Sequence, residues 1–268
     1  MKYKLFISDY DGTLGKAPAN DVDKETRKAI DEYVKKGGIF CVCTGRETSS
    51  ITRILNEQNL KGMVVSFQGA VITDLDSGKT LLDEGLSVEQ TVKALDSASK
   101  YDLTPLCYGK KDFFYQQMNG YIEVYERAIR LKGKVADVRS EVIKNGTSVF
   151  KICWLGDDKI VKQAEKELNE IYKGQGIKLN SGAPCLLEAI NPTFSKGKAV
   201  KYLADYYGVP LTEVIAVGDS TNDIDLISGE WHGVAVGDGR EELKAIADEV
   251  TVPFDEKPIK YLLEKYCL

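Results

Sequence analysis

The chain has a single histidine, His232, in 268 residues. That scarcity argues against a histidine-based zinc site and against a Ser-His-Asp triad elsewhere in the chain. Its place after Trp231, just before an apolar run, suits a packing residue at a strand boundary. Uninterrupted apolar runs of membrane-spanning length are absent too. The opening MKYKLFISDYDG turns acidic before a secretory apolar stretch could form. A basic block is also missing: 36 Lys and Arg face 41 Asp and Glu, for a formal charge of -5. That balance argues against a nucleic-acid surface. The six cysteines (Cys41, Cys43, Cys107, Cys153, Cys185 and Cys267) follow no zinc spacing, and a chain this long needs no disulfide staple. Buried free thiols in a cytoplasmic protein, with no membrane and no nucleic-acid partner, are the expectation.

What is present is organised around Lys4–Leu14, KLFISDYDGTL. Leu5, Phe6 and Ile7 form an apolar run too short for a helix, which reads as a buried central strand. It ends in Asp9 and Asp11, followed by Gly12 and Thr13. Carboxylates at the end of a core strand are costly unless something compensates them. Open α/β sheets place their sites at such strand ends. After this strand, the pattern predicts a helix over Glu25–Lys36, a strand over Ile39–Cys43, a helix over Glu47–Asn59 and a strand over Met63–Phe67. Such alternation marks a parallel sheet with right-handed crossovers.

The rhythm changes near Leu82. Strand-like pieces at Leu103–Tyr108 and Phe113–Gln117, parted by a Gly109-Lys110-Lys111 turn, precede a helix at Tyr121–Leu131. A strand at Ser148–Leu155, a helix at Asp158–Tyr172 and strands at Ile177–Leu179 and Cys185–Ile190 complete the region. Strands here outnumber what simple alternation gives, so residues 83–188 read as an inserted α+β domain. The aromatic residues Tyr108, Phe113, Phe114, Tyr115, Tyr121 and Tyr125 fit its core stripe better than a pocket lining. Alternation returns with a helix at Lys196–Tyr207, strands at Val214–Val217 and Gly233–Val236, and a closing helix at Ile259–Tyr266. The expected fold is a Rossmann-like parallel-sheet core, 1–82 with 189–268, interrupted by an α/β cap at 83–188.

Four polar spots follow core strands or open core helices: Asp9 with Asp11, Thr44-Gly45-Arg46, Lys196, and Asp219 with Asn222 and Asp223. Carboxylates converging at one sheet edge need a cation, and an all-oxygen donor set suits Mg2+. Lys196, the Thr44 hydroxyl and the Gly45 N–H suit a phosphate group beside that cation. Taken singly, each has a plainer reading. The two aspartates could shape a turn, Lys196 could be a solvated first-turn lysine, and Thr44 could cap the helix near Glu47. Arg46 reads equally as a salt-bridge partner and as a substrate contact.

Together, DYDGTL at Asp9–Leu14, CTGR at Cys43–Arg46, SKGKAV at Ser195–Val200 and GDSTND at Gly218–Asp223 resemble the haloacid dehalogenase superfamily of phosphatases. The insertion after the third core strand and the NPTFSKG entry resemble its Cof-type subfamily, which carries a type 2B cap. That resemblance implies Asp9 as nucleophile and metal ligand, and Asp11 as general acid/base with its backbone carbonyl on the metal. It implies Asp219 and Asp223 as further metal ligands, and Thr44, Gly45, Lys196 and Asn222 as phosphate binders. Gln68 stands where relatives carry Asn, and is a possible substrate contact with Arg46. GDGR, with Asp238 and Arg240, and VPFDEKPI replace the usual late loops. The function implied is magnesium-dependent hydrolysis of a small phosphorylated metabolite, a sugar phosphate by resemblance, through an aspartyl phosphate. A phosphomutase and a catalytically idle phosphate-ligand binder are the alternatives.

Overall fold

The computed structural model describes residues 1–16, 21–110, 112–129, 131–145 and 148–268. The chain divides into two compact units, Met1–Asp83 with Phe194–Leu268, and Glu84–Thr193. Lys111 of the expected turn and Arg130 of the expected helix lie outside the described residues.

In the first unit the chain runs β1 (Leu5–Ser8), α1 (Lys24–Lys35), β2 (Ile39–Cys43), α2 (Thr48–Glu57), β3 (Met63–Ser66), β4 (Val71–Asp74) and β5 (Thr80–Asp83). Each helix has a local cause. Asp23 caps α1 by accepting from the N–H groups of Glu25 and Thr26, and Ala29, Ile30 and Tyr33 form its buried face. The second unit follows: α3 (Val88–Ala98), β6 (Thr104–Tyr108), β7 (Phe113–Tyr115), α4 (Gly120–Ile129), β8 (Lys134–Val135), α5 (Val138–Asn145), β9 (Lys151–Leu155), α6 (Asp158–Tyr172), β10 (Lys178–Ala183) and β11 (Leu186–Ile190). The first unit then resumes with α7 (Lys196–Tyr207), β12 (Val214–Gly218), α8 (Ile224–Ile227), β13 (His232–Ala235), α9 (Glu241–Lys244), β14 (Glu249–Val250) and α10 (Pro258–Tyr266).

The first unit's sheet has the order β14-β13-β12-β1-β2-β3-β4-β5. Strands β14 to β3 are parallel, with Leu5 opposite both Val214 and Ile39. β1 is buried throughout. Phe6 packs with the face that includes Ile30, Tyr33 and Leu262, while Leu5 and Ile7 pack with Val200, Leu203 and Leu226. A strand covered on both faces reads as the continuous apolar run seen in the sequence. The sheet is mixed at one edge, since β4 and β5 add an antiparallel hairpin. The strand-by-strand reading of the sequence contained no such hairpin. Its turn, Asp74–Lys79, is held by Asp74 accepting from the Asp76 N–H and the Ser77 hydroxyl.

The second unit has its own sheet, β10-β11-β9-β6-β7-β8, antiparallel except for β7 with β8. Cys107, Ile152, Trp154, Leu187 and Ala189 pack against residues of α3, α5 and α6 on one face. Because β11 pairs within this sheet, the chain re-enters the first unit at Phe194, later than the expected residue 189. The helix α5 was missed by the sequence reading. Its apolar residues Val138 and Val142 are buried, but Ile143 is exposed, which blurs the helical period. Tyr108, Phe113 and Tyr115 are buried in this unit and Tyr121 is exposed. All six thiols are free and five are buried; Cys185 is exposed. Among the described residues no helix is long and apolar enough to cross a membrane.

Leu5 has no accessible surface at the centre of the larger sheet. Leu5→Ala is expected to lower unfolding stability by about 2–5 kcal/mol, measured by urea titration with β-sheet circular dichroism.

Candidate active site

The strand order reverses around β1, with β2 on one side and β12 on the other. Such a switch point opens a crevice at the strand ends. Asp9 follows β1 and Asp219 follows β12, so both carboxylates stand at that crevice. The next turn, Thr221–Asp223, adds Asp223. Asp9, Asp219 and Asp223 each bring an oxygen within 4.8 Å of the others. Asp9 and Asp223 are buried, and Asp219 is half-buried.

Lys196, the first residue of α7, points into this cluster with 1 % of its side chain exposed. Its Nζ donates to Asp9 Oδ1 and Asp223 Oδ1, both at 2.6 Å. The other Asp223 oxygen accepts from the backbone N–H groups of Asp219 and Ser220 at 3.2 and 3.1 Å. Burial opposes the Lys196 charge, but Asp9 and Asp223 outweigh it and keep the amine protonated. Burial lifts Asp9 well above the usual carboxylate range despite Lys196, and Asp223 and Asp219 add to the rise. Burial, with Asp223 beside it, also pushes Asp219 up to about 6. Three carboxylates share one ammonium, which leaves two negative charges that a divalent cation would balance. The all-oxygen donor set fits a hard ion.

Two residues that the sequence reading did not single out shape the cluster. The Thr13 hydroxyl, buried in the turn after β1, donates to Asp219 Oδ1 at 3.0 Å. Asp225 accepts from the Gly197 N–H at 3.0 Å and so fixes the start of α7. Thr13 lies inside the quoted DYDGTL motif, so its position was visible although its task was not; Asp225 lies two residues beyond GDSTND. Gly12 is required sterically. Its φ is +87°, and a Cβ there would stand 2.6 Å from Asp219 Oδ2.

Asp11 takes a different path. Its carboxylate lies outside the cluster and accepts from Arg46 Nε at 2.8 Å and Nη2 at 2.5 Å, a bidentate pair. The same guanidinium lies 5.1 Å from the centre of the Tyr10 ring. Of the two readings open for Arg46, the salt bridge is the contact present.

Thr44 is buried, and its hydroxyl accepts from the Arg46 N–H at 3.2 Å. The Thr44-Gly45-Arg46 turn is stitched to the turn after β3: the Gln68 N–H donates to Thr44 O and the Phe67 N–H to Arg46 O. Phe67 and Gln68 hold left-handed φ values of 50° and 58°. Such conformations cost roughly 1–3 kcal/mol each in a non-glycine residue. They bring the Gln68 amide directly against Gly45, where a Cβ would collide with it. Asn222 is exposed on the Asp223 turn. Asp238 accepts from the Phe254 N–H at 2.8 Å, tying the two divergent loops together, and the Arg240 N–H donates to Asp219 O. His232 is half-buried, stacked on Tyr3 with ring centres 5.3 Å apart.

Comparison with known proteins fits this geometry. The model of the haloacid dehalogenase-like hydrolase family matches residues 6–263. The chain is 24 % identical to the 5-amino-6-(5-phospho-D-ribitylamino)uracil phosphatase YwtE of Bacillus subtilis, over 98 % of this chain and 97 % of the relative. It is 26 % identical to phosphatase YwpJ of the same organism, over 97 % and 99 % of the two chains. TM0651 from Thermotoga maritima shares the fold with a TM-score of 0.88 at 21 % identity, covering 98 % of this chain and 97 % of that one. An α/β core with this aspartate cluster defines a phosphohydrolase of the aspartate-nucleophile type. The chain belongs to the haloacid dehalogenase-like hydrolases, in their Cof-like branch.

The raised Asp219 carboxyl has a signed consequence. Its native value near 6 exceeds the ordinary value of about 3.9, so between about pH 4 and 6 the native state binds the proton more tightly than the unfolded chain. In EDTA, the wild type is expected to gain Tm relative to Asp219→Asn as pH falls through that window. Saturating Mg2+ is expected to remove the trend, because a cation holds the carboxylate ionised. Scanning calorimetry of both proteins checks it.

Proposed function

We propose that this chain hydrolyses small phosphomonoesters, sugar or polyol phosphates in particular, with Mg2+ at the carboxylate cluster and Asp9 as nucleophile. The observation that carries this reading is the Lys196 ammonium fixed between Asp9 and Asp223, with Asp219 in the same cluster. It orients one Asp9 oxygen, and a divalent cation at the cluster would offset the remaining negative charge that opposes an anionic phosphate. The relative that acts on a ribityl phosphate supports a hydroxylated leaving group. Six free thiols support a reducing, cytoplasmic setting.

Asp9, Asp219 and Asp223, with the Asp11 backbone carbonyl, are the residues that would hold Mg2+. When bound, the ion offsets charge on the phosphoryl oxygens. In the first step an Asp9 oxygen bonds to phosphorus as the bond from phosphorus to the leaving oxygen breaks. Asp11 gives its proton to that oxygen. In the second step water attacks the same phosphorus, Asp11 receives a water proton, and the bond to Asp9 breaks to release inorganic phosphate. Lys196, the Thr44 hydroxyl and the Gly45 N–H donate to the phosphoryl oxygens, with Asn222 at the rim. Arg46 occupies both Asp11 oxygens in the structure, so proton delivery requires this pair to open.

Asp9→Asn is expected to cut phosphate release by at least about a thousandfold, since an amide oxygen is a poor nucleophile. Molybdate detection of phosphate checks this, and turnover like the wild type's would overturn the covalent mechanism. EDTA is expected to abolish turnover and excess Mg2+ to restore it. Asp11→Asn is expected to slow alkyl phosphates far more than p-nitrophenyl phosphate, whose phenolate departs without a proton. Equal losses on both would remove Asp11 from the acid role.

A further inference from the structure

Three successive residues after β3 carry left-handed backbone angles: Phe67, Gln68 and Gly69, with φ of 50°, 58° and 110°. Glycine takes such values freely, but a residue with a Cβ holds them only where its surroundings over-determine them. Strain of this kind concentrates where a site needs a fixed geometry. The turn meets both segments of the first unit that the phosphate chemistry uses. On one side, the Gln68 N–H donates to Thr44 O at 3.1 Å and the Phe67 N–H to Arg46 O at 2.9 Å. On the other, Gly69 is buried so close to the start of α7 that a Cβ would stand 2.3 Å from Ser195 O, one residue before Lys196.

Within the Thr44-Gly45-Arg46 turn, the two outer residues are tied down and the middle one is not. The Thr44 N–H donates to Val65 O, the Thr44 hydroxyl accepts from the Arg46 N–H, and the Arg46 guanidinium donates to Asp11. The Gly45 N–H and carbonyl make no hydrogen bond to any described residue. A glycine so placed keeps a wide choice of backbone angles. What confines it is the Gln68 carboxamide. A Cβ on Gly45 would lie 2.4 Å from Gln68 Nε2 and 2.9 Å from its Cδ, so the amide fills the volume where residue 45 lacks a side chain. That carboxamide has no hydrogen-bond partner among the described residues, so its contact with Gly45 is one of packing.

We propose that Gln68 is a positioning residue for phosphoryl transfer: its strained turn packs the carboxamide onto Gly45 and so holds the Gly45 N–H in the orientation that meets a phosphoryl oxygen. The inference rests on the phosphomonoesterase reading above, in which that N–H is a phosphate donor. A donor that needs no reorganisation as charge develops stabilises the transition state more than one that must first be ordered. Gln68 acts through Gly45 and does not itself touch the ester.

The test exchanges volume between the two residues. Gln68→Gly, Gly45→Ala and the double variant are compared with the wild type in kcat/KM for p-nitrophenyl phosphate with Mg2+, in inhibition by inorganic phosphate, and in Tm with EDTA. Gln68→Gly removes the amide and accepts left-handed φ without strain. Its Tm is therefore expected to hold, while kcat/KM falls at least about tenfold and the phosphate inhibition constant rises. Gly45→Ala is expected to lose more, because its methyl meets the amide. In the double variant the methyl takes the volume that the amide left, and kcat/KM is expected to recover at least about tenfold over Gly45→Ala. Wild-type kcat/KM and phosphate inhibition in Gln68→Gly assign the turn a structural role and overturn the proposal. A double variant no better than Gly45→Ala overturns it too, whatever the Tm of Gln68→Gly. A wild type that hydrolyses no ester overturns the phosphomonoesterase reading, and this proposal with it.

Discussion

The structure of the site depends on one ammonium. Lys196 is enclosed at the start of a helix and bonded to carboxylates from two separate parts of the chain. Taking such groups out of water costs several kcal/mol per ion, and the Coulomb attraction between them offsets that only with tight geometry. The geometry is tight, yet the charges do not cancel. A protein that needed only a stable core would have no reason to keep a surplus of buried carboxylates. The surplus makes the cluster an attractive place for a divalent cation, and it adds to burial, the larger cause, in making the Asp9 and Asp219 carboxyls resist ionisation.

Two cations divide the aspartates of the opening motif. Asp9 goes inward to Lys196, and Asp11 goes outward to Arg46. In the proposed mechanism the separation matters, because a nucleophile and a proton carrier must not compete for the same counter-charge. Lys196 fixes its partner by burial. Arg46 holds its partner at the surface, where ion pairs are weak and exchange readily. The strain at Phe67 and Gln68 belongs to the same economy of space: it brings the Gln68 amide against Gly45, beside the arginine that holds Asp11.

Much of this was legible because the costly features are local. Apolar runs ending in acids marked β1 and β12, and regular helical spacing marked α1, α6 and α7. The four motifs named every residue of the carboxylate–lysine cluster. The β4–β5 hairpin was not legible, because β5 is short and only partly buried and its apolar content merges with the segment that follows. The tasks of Thr13 and Asp225 depend on partners far along the chain, which no local pattern discloses. Left-handed φ at Phe67 and Gln68 was invisible for a different reason. Neither residue type favours it, so only the packed surroundings can impose it.

The central strand also has a consequence for how the molecule is made. β1 is made roughly two hundred residues before β12, its partner on one side. At 5–20 residues per second, one edge of the future central strand waits on the order of ten seconds or more for its neighbour. The inserted unit is completed within that interval, since it has its own sheet and apolar cluster. Until α7 and β12 arrive, Asp9 has neither its ammonium nor its neighbouring carboxylates. Asp9 therefore stays hydrated and unassembled in the nascent chain until α7 and β12 supply Lys196 and Asp219.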